Sequence, residues 1–166
     1  MDMESLRDLM VEELKDLYSA EKQITKALPK MVKKATAPAL KQAFQAHLAE
    51  TEEQIKRLEQ IFQELEVSPR GKKCKGMEGV IEDGKELMEE DAEADVMDAG
   101  LIGAAQHVEH YEIAGYGCVR TYANLLGMKN AVKLLEKTLS EEKATDEKLT
   151  RLAEAINVEA MDEEAA

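Results

Sequence analysis

Acidic side chains interrupt the apolar stripes of four helical segments, and they are the residues best suited to carry chemistry. Two of them, Glu109 and Glu112, lie three residues apart within a single stripe. At about 100° per residue, both side chains therefore point towards a partner helix. An isolated carboxylate moved into such a core costs several kcal/mol or takes up a proton. These acids need a cation, a hydrogen-bonding partner or a metal ion.

Every long helical segment contributes at least one residue of this kind. The remaining candidates lie in or beside the other three stripes: Glu21, His47, Glu50, Glu142 and Asp146. A bundle that brings them together contains about six carboxylates and one imidazole, and this much like charge requires strongly bound cations. Two divalent metal ions would neutralise much of it. The oxygen-rich set suits iron or manganese better than zinc or copper.

A structural explanation of the same residues stays open. In that interpretation Glu109 pairs with a lysine, His47 is a satisfied core histidine, and Glu53 faces solvent. Tyr18 and Tyr116 are core residues whose hydroxyls find partners, or they flank the site. The coincidence of acids on four helices favours a metal site over a hydrogen-bonded polar layer.

Five helices are predicted to position these residues. Apolar residues recur at helical spacing over about 4–35, 38–66, 76–91, 95–126 and 128–158. Pro38 suits the first turn of the second helix, and Gly127 separates the last two. The short segment 76–91 is predicted to be a crossover between the second and the third long helix. The length of the chain predicts one all-α domain, 1–166.

Two details of the last two long helices are also predicted. Gly103, Gly115 and Gly117 indicate close approach between helices. The acidic end of the chain after Val158 is expected to fray.

Composition excludes several classes of protein. The formal net charge of -13 disfavours binding to a nucleic-acid backbone. Cys74 and Cys118 lack a Cys-x-x-Cys companion, which argues against a disulfide framework and a thiolate zinc site. No export signal or membrane-spanning stretch is evident, so we expect a cytoplasmic protein. The sequence has no glycine-rich phosphate loop and no serine or cysteine nucleophile beside a base.

Taken together, five stretches resemble one known family. The chain is similar to members of the ferritin-like superfamily and, within it, to the YciF/YciE-type bacterial stress proteins. The resemblance rests on residues 16–23, 47–54, 74–81, 106–113 and 141–146. It implies a ferritin-like antiparallel four-helix bundle with a long crossover, a homodimer and a dinuclear metal centre like that of rubrerythrin.

The resemblance also implies roles for individual acids. Glu50 and Glu142 correspond to carboxylates that bridge two metal ions. Glu21 and Glu109 correspond to the terminal ligands of the first and third long helices, and Glu112 to the additional rubrerythrin-like acid.

This chain departs from the superfamily's Glu-x-x-His pattern in two helices. Glu53 and Thr145 stand where the two histidines are expected. His47, one turn before Glu50, or Glu53 itself then completes the ligand set on the second helix, and Asp146 completes it on the last.

Two functions follow as expectations. The first is a di-iron or dimanganese stress-response protein that oxidises iron(II) or removes peroxide or dioxygen, with no catalytic residue beyond the metal ligands. The alternative is a non-catalytic homodimeric bundle in which the metal site is structural or vestigial.

Overall fold

A computed structural model describes residues 3–161, and these residues form five α-helices and no strand. The helices are α1 (Leu6–Lys34), α2 (Pro38–Leu65), α3 (Lys75–Glu89), α4 (Ala94–Leu125) and α5 (Lys129–Glu159). The all-α prediction is confirmed, and each helix end lies within two residues of its predicted position. Of the acidic end that is expected to fray, residues 162–166 lie outside the described part of the chain.

The four long helices pack as antiparallel neighbours. The short turn between α1 and α2 makes these two helices a hairpin, and the turn after α4 does the same for α4 and α5. Thr36, just after α1, contacts Asp98 near the start of α4. Asn130 at the start of α5 contacts Glu64 near the end of α2. Each helix of one hairpin therefore lies antiparallel to a helix of the other.

This arrangement requires a crossover along the bundle, because α2 ends at the opposite end from the start of α4. The 15-residue α3 supplies about 22 Å of that distance at 1.5 Å per residue. It packs on α1 and α4. Only Met77 of α3 is fully buried.

Local signals in the sequence set the ends of the helices. The Ser5 hydroxyl accepts a hydrogen bond from the Asp8 amide at 3.1 Å, which caps α1. Pro38 is the first residue of α2, where its missing N–H leaves no donor unpaired. The sulfur of Cys74 accepts from the Met77 amide and caps α3, which gives this buried cysteine a structural role.

The interior has two apolar clusters, one on each side of a polar layer. One cluster includes Ile24 and Phe44, and the other includes Leu14 and Phe62. Burial of each such side chain contributes about 1.5–3 kcal/mol to folding. None of the helices among residues 3–161 has the length and hydropathy that a membrane crossing requires.

Close helix approach is confirmed at one of the three glycines predicted to permit it. A Cβ atom on Gly115 would lie 2.7 Å from Cδ2 of Leu17, so no larger residue fits there without movement. At Gly103 and Gly117 a Cβ atom would meet no described atom within 4 Å. The prediction is wrong for these two glycines because both face open space.

A buried carboxylate ties the α1–α2 turn to α4. Asp98 is 1% exposed and accepts hydrogen bonds from the Thr36 amide at 2.8 Å, the Thr36 hydroxyl at 2.7 Å and the Ala37 amide at 2.7 Å. Ala37 precedes α2 and has no side chain that could cap it. Asp98 therefore satisfies backbone donors that the local sequence leaves unpaired.

We expect Asp98→Ala to lower the free energy of unfolding by about 3 kcal/mol, because it leaves buried donors unpaired. Denaturant titration measures this change. Asp95→Ala, on the exposed first turn of the same helix, should change it by less than about 0.5 kcal/mol. Equal effects of the two substitutions would contradict the role of Asp98.

Candidate metal centre

Five of the seven predicted site residues converge in the polar layer. Their side chains come from α1, α2, α4 and α5, and each residue is at most 3% exposed. They are Glu21, His47, Glu109, Glu112 and Glu142. Each lies on the inward stripe of its helix, so the apolar pattern that folds the bundle also brings these residues together.

Four of these residues could bind one metal ion together. One donor atom from each of His47, Glu109, Glu112 and Glu142 lies within 4.8 Å of all the others. His47 Nε2 is 3.3 Å from Glu109 Oε1. A small inward movement of these side chains would bring their donor atoms to metal-ligand distances of about 2.0–2.2 Å.

Glu21 lies beside this cluster and is held by a tyrosine. The Tyr116 hydroxyl donates a hydrogen bond to Glu21 Oε1. Burial raises the pKa of Tyr116, so the hydroxyl stays protonated and remains a donor.

Unpaired polar atoms concentrate at this site. Among the described residues, nine buried side-chain nitrogen or oxygen atoms lack a hydrogen-bond partner, and seven of them belong to the five converging residues. They include both ring nitrogens of His47 and both carboxylate oxygens of Glu112. Buried polar groups are ordinarily paired, so atoms left unpaired in one place need a common partner.

Burial controls protonation in the layer. It raises the pKa of Glu21 to about 8, with the charge of Glu142 adding to the shift. Burial also raises the pKa values of Glu109, Glu112 and Glu142. It lowers the pKa of His47 to about 4. Without a metal, the carboxyls therefore take up protons, whereas the imidazole is neutral and keeps a lone pair for a metal.

The nearest buried cation does not contact these acids. Arg57 forms a two-pronged pair with Glu141, with Nη1–Oε2 at 2.6 Å and Nη2–Oε1 at 2.8 Å. Nη1 also donates to the Thr138 hydroxyl at 3.0 Å. Gln54 connects this pair to the site, because its Nε2 donates to both Glu141 and Glu142. The network orients Glu142 but supplies it with no direct counter-charge.

Sequence reasoning missed Gln54 and Arg57 as partners of the site. Gln54 lies seven residues after His47, which places it about 20° away on the same helical face. That position is the signal in the sequence, because it places the amide on the buried face of the helix. Arg57 lies at the edge of the stripe, where the helical pattern alone does not separate a buried arginine from an exposed one.

The structure does not bring Glu50 and Asp146 into the four-residue cluster. Both are half-buried. Glu50 Oε2 accepts from the Thr145 hydroxyl at 3.3 Å. Asp146 accepts from Gln106 at 3.1 Å and lies 3.2 Å from His110 Nε2. Their predicted roles as metal ligands would require a change in side-chain conformation.

The structure distinguishes the two candidates for the ligand position on α2. The Glu53 side chain is 58% exposed and pairs with Lys56 in solvent. His47 is 3% exposed and faces Glu109. His47 is therefore the residue of α2 that can join the cluster.

The donor set fits divalent iron or manganese. It consists of carboxylate oxygens and one imidazole nitrogen, a combination that favours these metals over zinc and copper. Two divalent ions carry four positive charges, and these balance the four carboxylates of Glu21, Glu109, Glu112 and Glu142. Such ions would also provide the partner that the unpaired atoms require.

Comparisons with known proteins give consistent matches. The model of a family described as a domain of unknown function, DUF892, matches residues 5–162. Protein YciF of Escherichia coli strain K12 is 49% identical over 154 residues, which cover 92% of this chain and 93% of that protein. The crystal structure of the E. coli stress protein YciF matches with a TM-score of 0.90 at 48% identity, covering 93% of this chain and 98% of that one.

Two further solved structures are similar. YcfI of Rhodopseudomonas palustris, provisionally described as a structural protein, matches with a TM-score of 0.87 at 44% identity. The match covers 90% of this chain and 95% of the YcfI chain. A protein of Xanthomonas campestris has a TM-score of 0.77 at 23% identity, with 98% and 100% of the two chains covered. At that identity the second match shows the shared fold alone.

We expect the metal-free protein to lose stability as pH rises from about 5 to 8.5. The unfolded chain releases the proton of Glu21 near pH 4.5, whereas the folded chain keeps it until about pH 8. A raised pKa in the folded state therefore stabilises the protein at low pH, and this contribution disappears as pH rises through the folded value. Denaturant unfolding after chelation should show a loss on the order of a few kcal/mol across this range.

The double variant Glu21→Gln/Glu112→Gln is the control for this effect. It removes two of the titrating groups, so its stability should depend less on pH than that of the unaltered protein. Stability that rises with pH in the metal-free protein would contradict the expectation.

Proposed function

The chain belongs to the DUF892 family and is a YciF-like protein, and on that basis we propose that it is a stress-response protein with a dinuclear metal site. The metal is iron or, as the second choice, manganese. The activity is the oxidation of iron(II) by hydrogen peroxide or dioxygen. The observation that supports this proposal most directly is the group of seven unpaired buried atoms on the five converging residues.

The residues divide into ligands and groups that orient them. His47, Glu109, Glu112 and Glu142 would hold the metal, since their donor atoms already converge. Glu21 would complete the set from α1, with its orientation fixed by Tyr116. Positioning by neighbouring hydrogen bonds is a general requirement of metal sites.

Bound iron(II) would supply the electrons for this reaction. Overall, two iron(II) ions, two protons and one hydrogen peroxide would give two iron(III) ions and two water molecules, and iron(II) from solution would supply each further turnover. Dioxygen with the same two electrons and two protons gives hydrogen peroxide.

A second candidate is a non-catalytic helical bundle in which the metal only stabilises the fold. It is favoured by the single histidine of the cluster, since the superfamily pattern has two. The provisional description of the R. palustris relative as a structural protein points the same way. Metal binding to the folded state alone would stabilise the bundle.

The homodimer and the cytoplasmic location remain part of the proposal. Cys74 and Cys118 are both free thiols, which fits a reducing compartment.

We expect about two iron(II) ions per chain after anaerobic loading and desalting, which is the number that a dinuclear bundle site holds. The near-isosteric double variant Glu109→Gln/Glu142→Gln should retain almost none. Because glutamine is close in shape and volume to the protonated carboxyl of the metal-free protein, the variant should melt no lower than the unaltered protein when metal is absent. Elemental analysis and thermal unfolding measure the two quantities.

The matched control is Glu53→Gln/Glu136→Gln, which makes the same change in charge on α2 and α5. Both control side chains are more than half exposed, so this protein should load like the unaltered one. Equal metal content in all three proteins, or metal in none of them, would exclude the site.

Iron(II)-dependent consumption of hydrogen peroxide separates the two candidate functions. We expect repeated turnover by the unaltered protein and the exposed control, and a rate at least about tenfold lower in Glu109→Gln/Glu142→Gln. Metal that raises the melting temperature without any peroxide consumption above that of free iron would instead establish the structural bundle.

A further inference from the structure

A cavity of about 240 Å³ lies beside the candidate metal centre and is lined by residues of all five helices. Its walls are mainly apolar and include Ile24, Leu28, Phe44, Val80, Val108 and Leu149. At its inner end it reaches His47 and Glu109. The cavity therefore extends from the polar layer through apolar surroundings towards solvent.

Lysines contribute to the lining of this cavity. Five exposed lysines belong to its lining: Lys26, Lys30, Lys73, Lys85 and Lys148. Lys73 and Lys85 pair with neighbouring acids on α3. The other three form no ion pair within residues 3–161. A group of unpaired cations on a chain of net charge -13 provides a local site for an anion.

The crossover helix leaves apolar surface facing this space. Val80, Ile81 and Met88 of α3 line the cavity and are only half-buried. A helix normally packs its apolar stripe against the core. The stripe of α3 packs against the core cluster only in part, so an apolar ligand would complete the burial of the surface that still faces the cavity.

We propose that this cavity binds an amphiphile with one anionic head group and an unbranched aliphatic chain, and that the ligand is a medium-chain carboxylate. A dry cavity of about 150 Å³ accepts benzene, so a cavity of this size accommodates a chain of about ten carbon atoms. The lysines bind the head group, and the apolar walls bind the chain. This ligand site goes beyond the proposed metal chemistry and does not depend on it.

Charge sets the orientation of the ligand. The head group lies near Lys26 and Lys30, which are one turn apart on α1, and the chain points inward. The reverse orientation would bury the anionic head group beside Glu109, away from water and from the lysines, which costs free energy of desolvation. The methyl end of the chain therefore approaches His47 and Glu109.

Calorimetric titration with decanoate tests the proposal on the full chain, before and after removal of metal with a chelator. We expect binding in both states and a raised melting temperature, because the ligand buries apolar surface of the folded state alone. The double variant Lys26→Glu/Lys30→Glu should weaken binding about tenfold, since two attractive exposed charges become repulsive. The control Lys129→Glu/Lys133→Glu makes the same change in net charge at the start of α5, away from the cavity, and should bind normally.

A second variant tests the apolar part of the cavity. Ala27 lines it, and Ala27→Phe should fill the space and abolish decanoate binding while leaving the melting temperature of the ligand-free protein close to normal. Hexanoate should bind more weakly than decanoate to the unaltered protein, because it buries fewer methylene groups.

Three results would overturn the proposal. The first is no binding of decanoate at about 1 mM. The second is equal binding by the two charge variants. The third is binding that requires bound metal and is unaffected by Lys26→Glu/Lys30→Glu, which would show that the carboxylate binds the metal and the chain points outward.

Discussion

The burial of like charges is the constraint on which the bundle depends. Glu21, Glu109, Glu112 and Glu142 are at most 1% exposed and lie between two apolar clusters. The folded chain must neutralise them with protons or cations. A shift of one residue along any helix would turn its side chains by about 100° and place an acid against apolar neighbours. The tether from Asp98 to the α1–α2 turn and the antiparallel pairs therefore fix the register that the polar layer requires.

The sequence predicts most of this fold because its helices are long and strongly periodic. The same periodicity indicates which acids point inward, and Glu21, Glu109 and Glu112 are buried as their stripes predict. Their role as metal ligands stays a prediction. Glu50 and Asp146 lie near the edges of their stripes, where the position of the neighbouring helix decides whether a side chain reaches the site. That position depends on packing between helices and is not encoded in the period of one helix.

The partners of the site were harder to predict for a different reason. Gln54 and Arg57 act through hydrogen bonds to α5, and such bonds depend on how two helices face each other. A glutamine within an apolar stripe is still informative, because a buried amide needs partners.

Four carboxylates and one imidazole also make a more negative environment than a histidine-rich site. By electrostatics alone, such an environment would stabilise a trivalent ion relative to a divalent one.

The crossover helix α3 should open more readily than the four long helices. Stability within a folded chain is uneven, and segments with few buried apolar contacts open at the lowest free energy. Because α3 contains a single fully buried residue, Met77, its backbone amides should exchange with deuterium before those of the four long helices. Its opening can occur without unfolding of the bundle. Undocking of this one short helix would then widen the cavity that its apolar stripe lines.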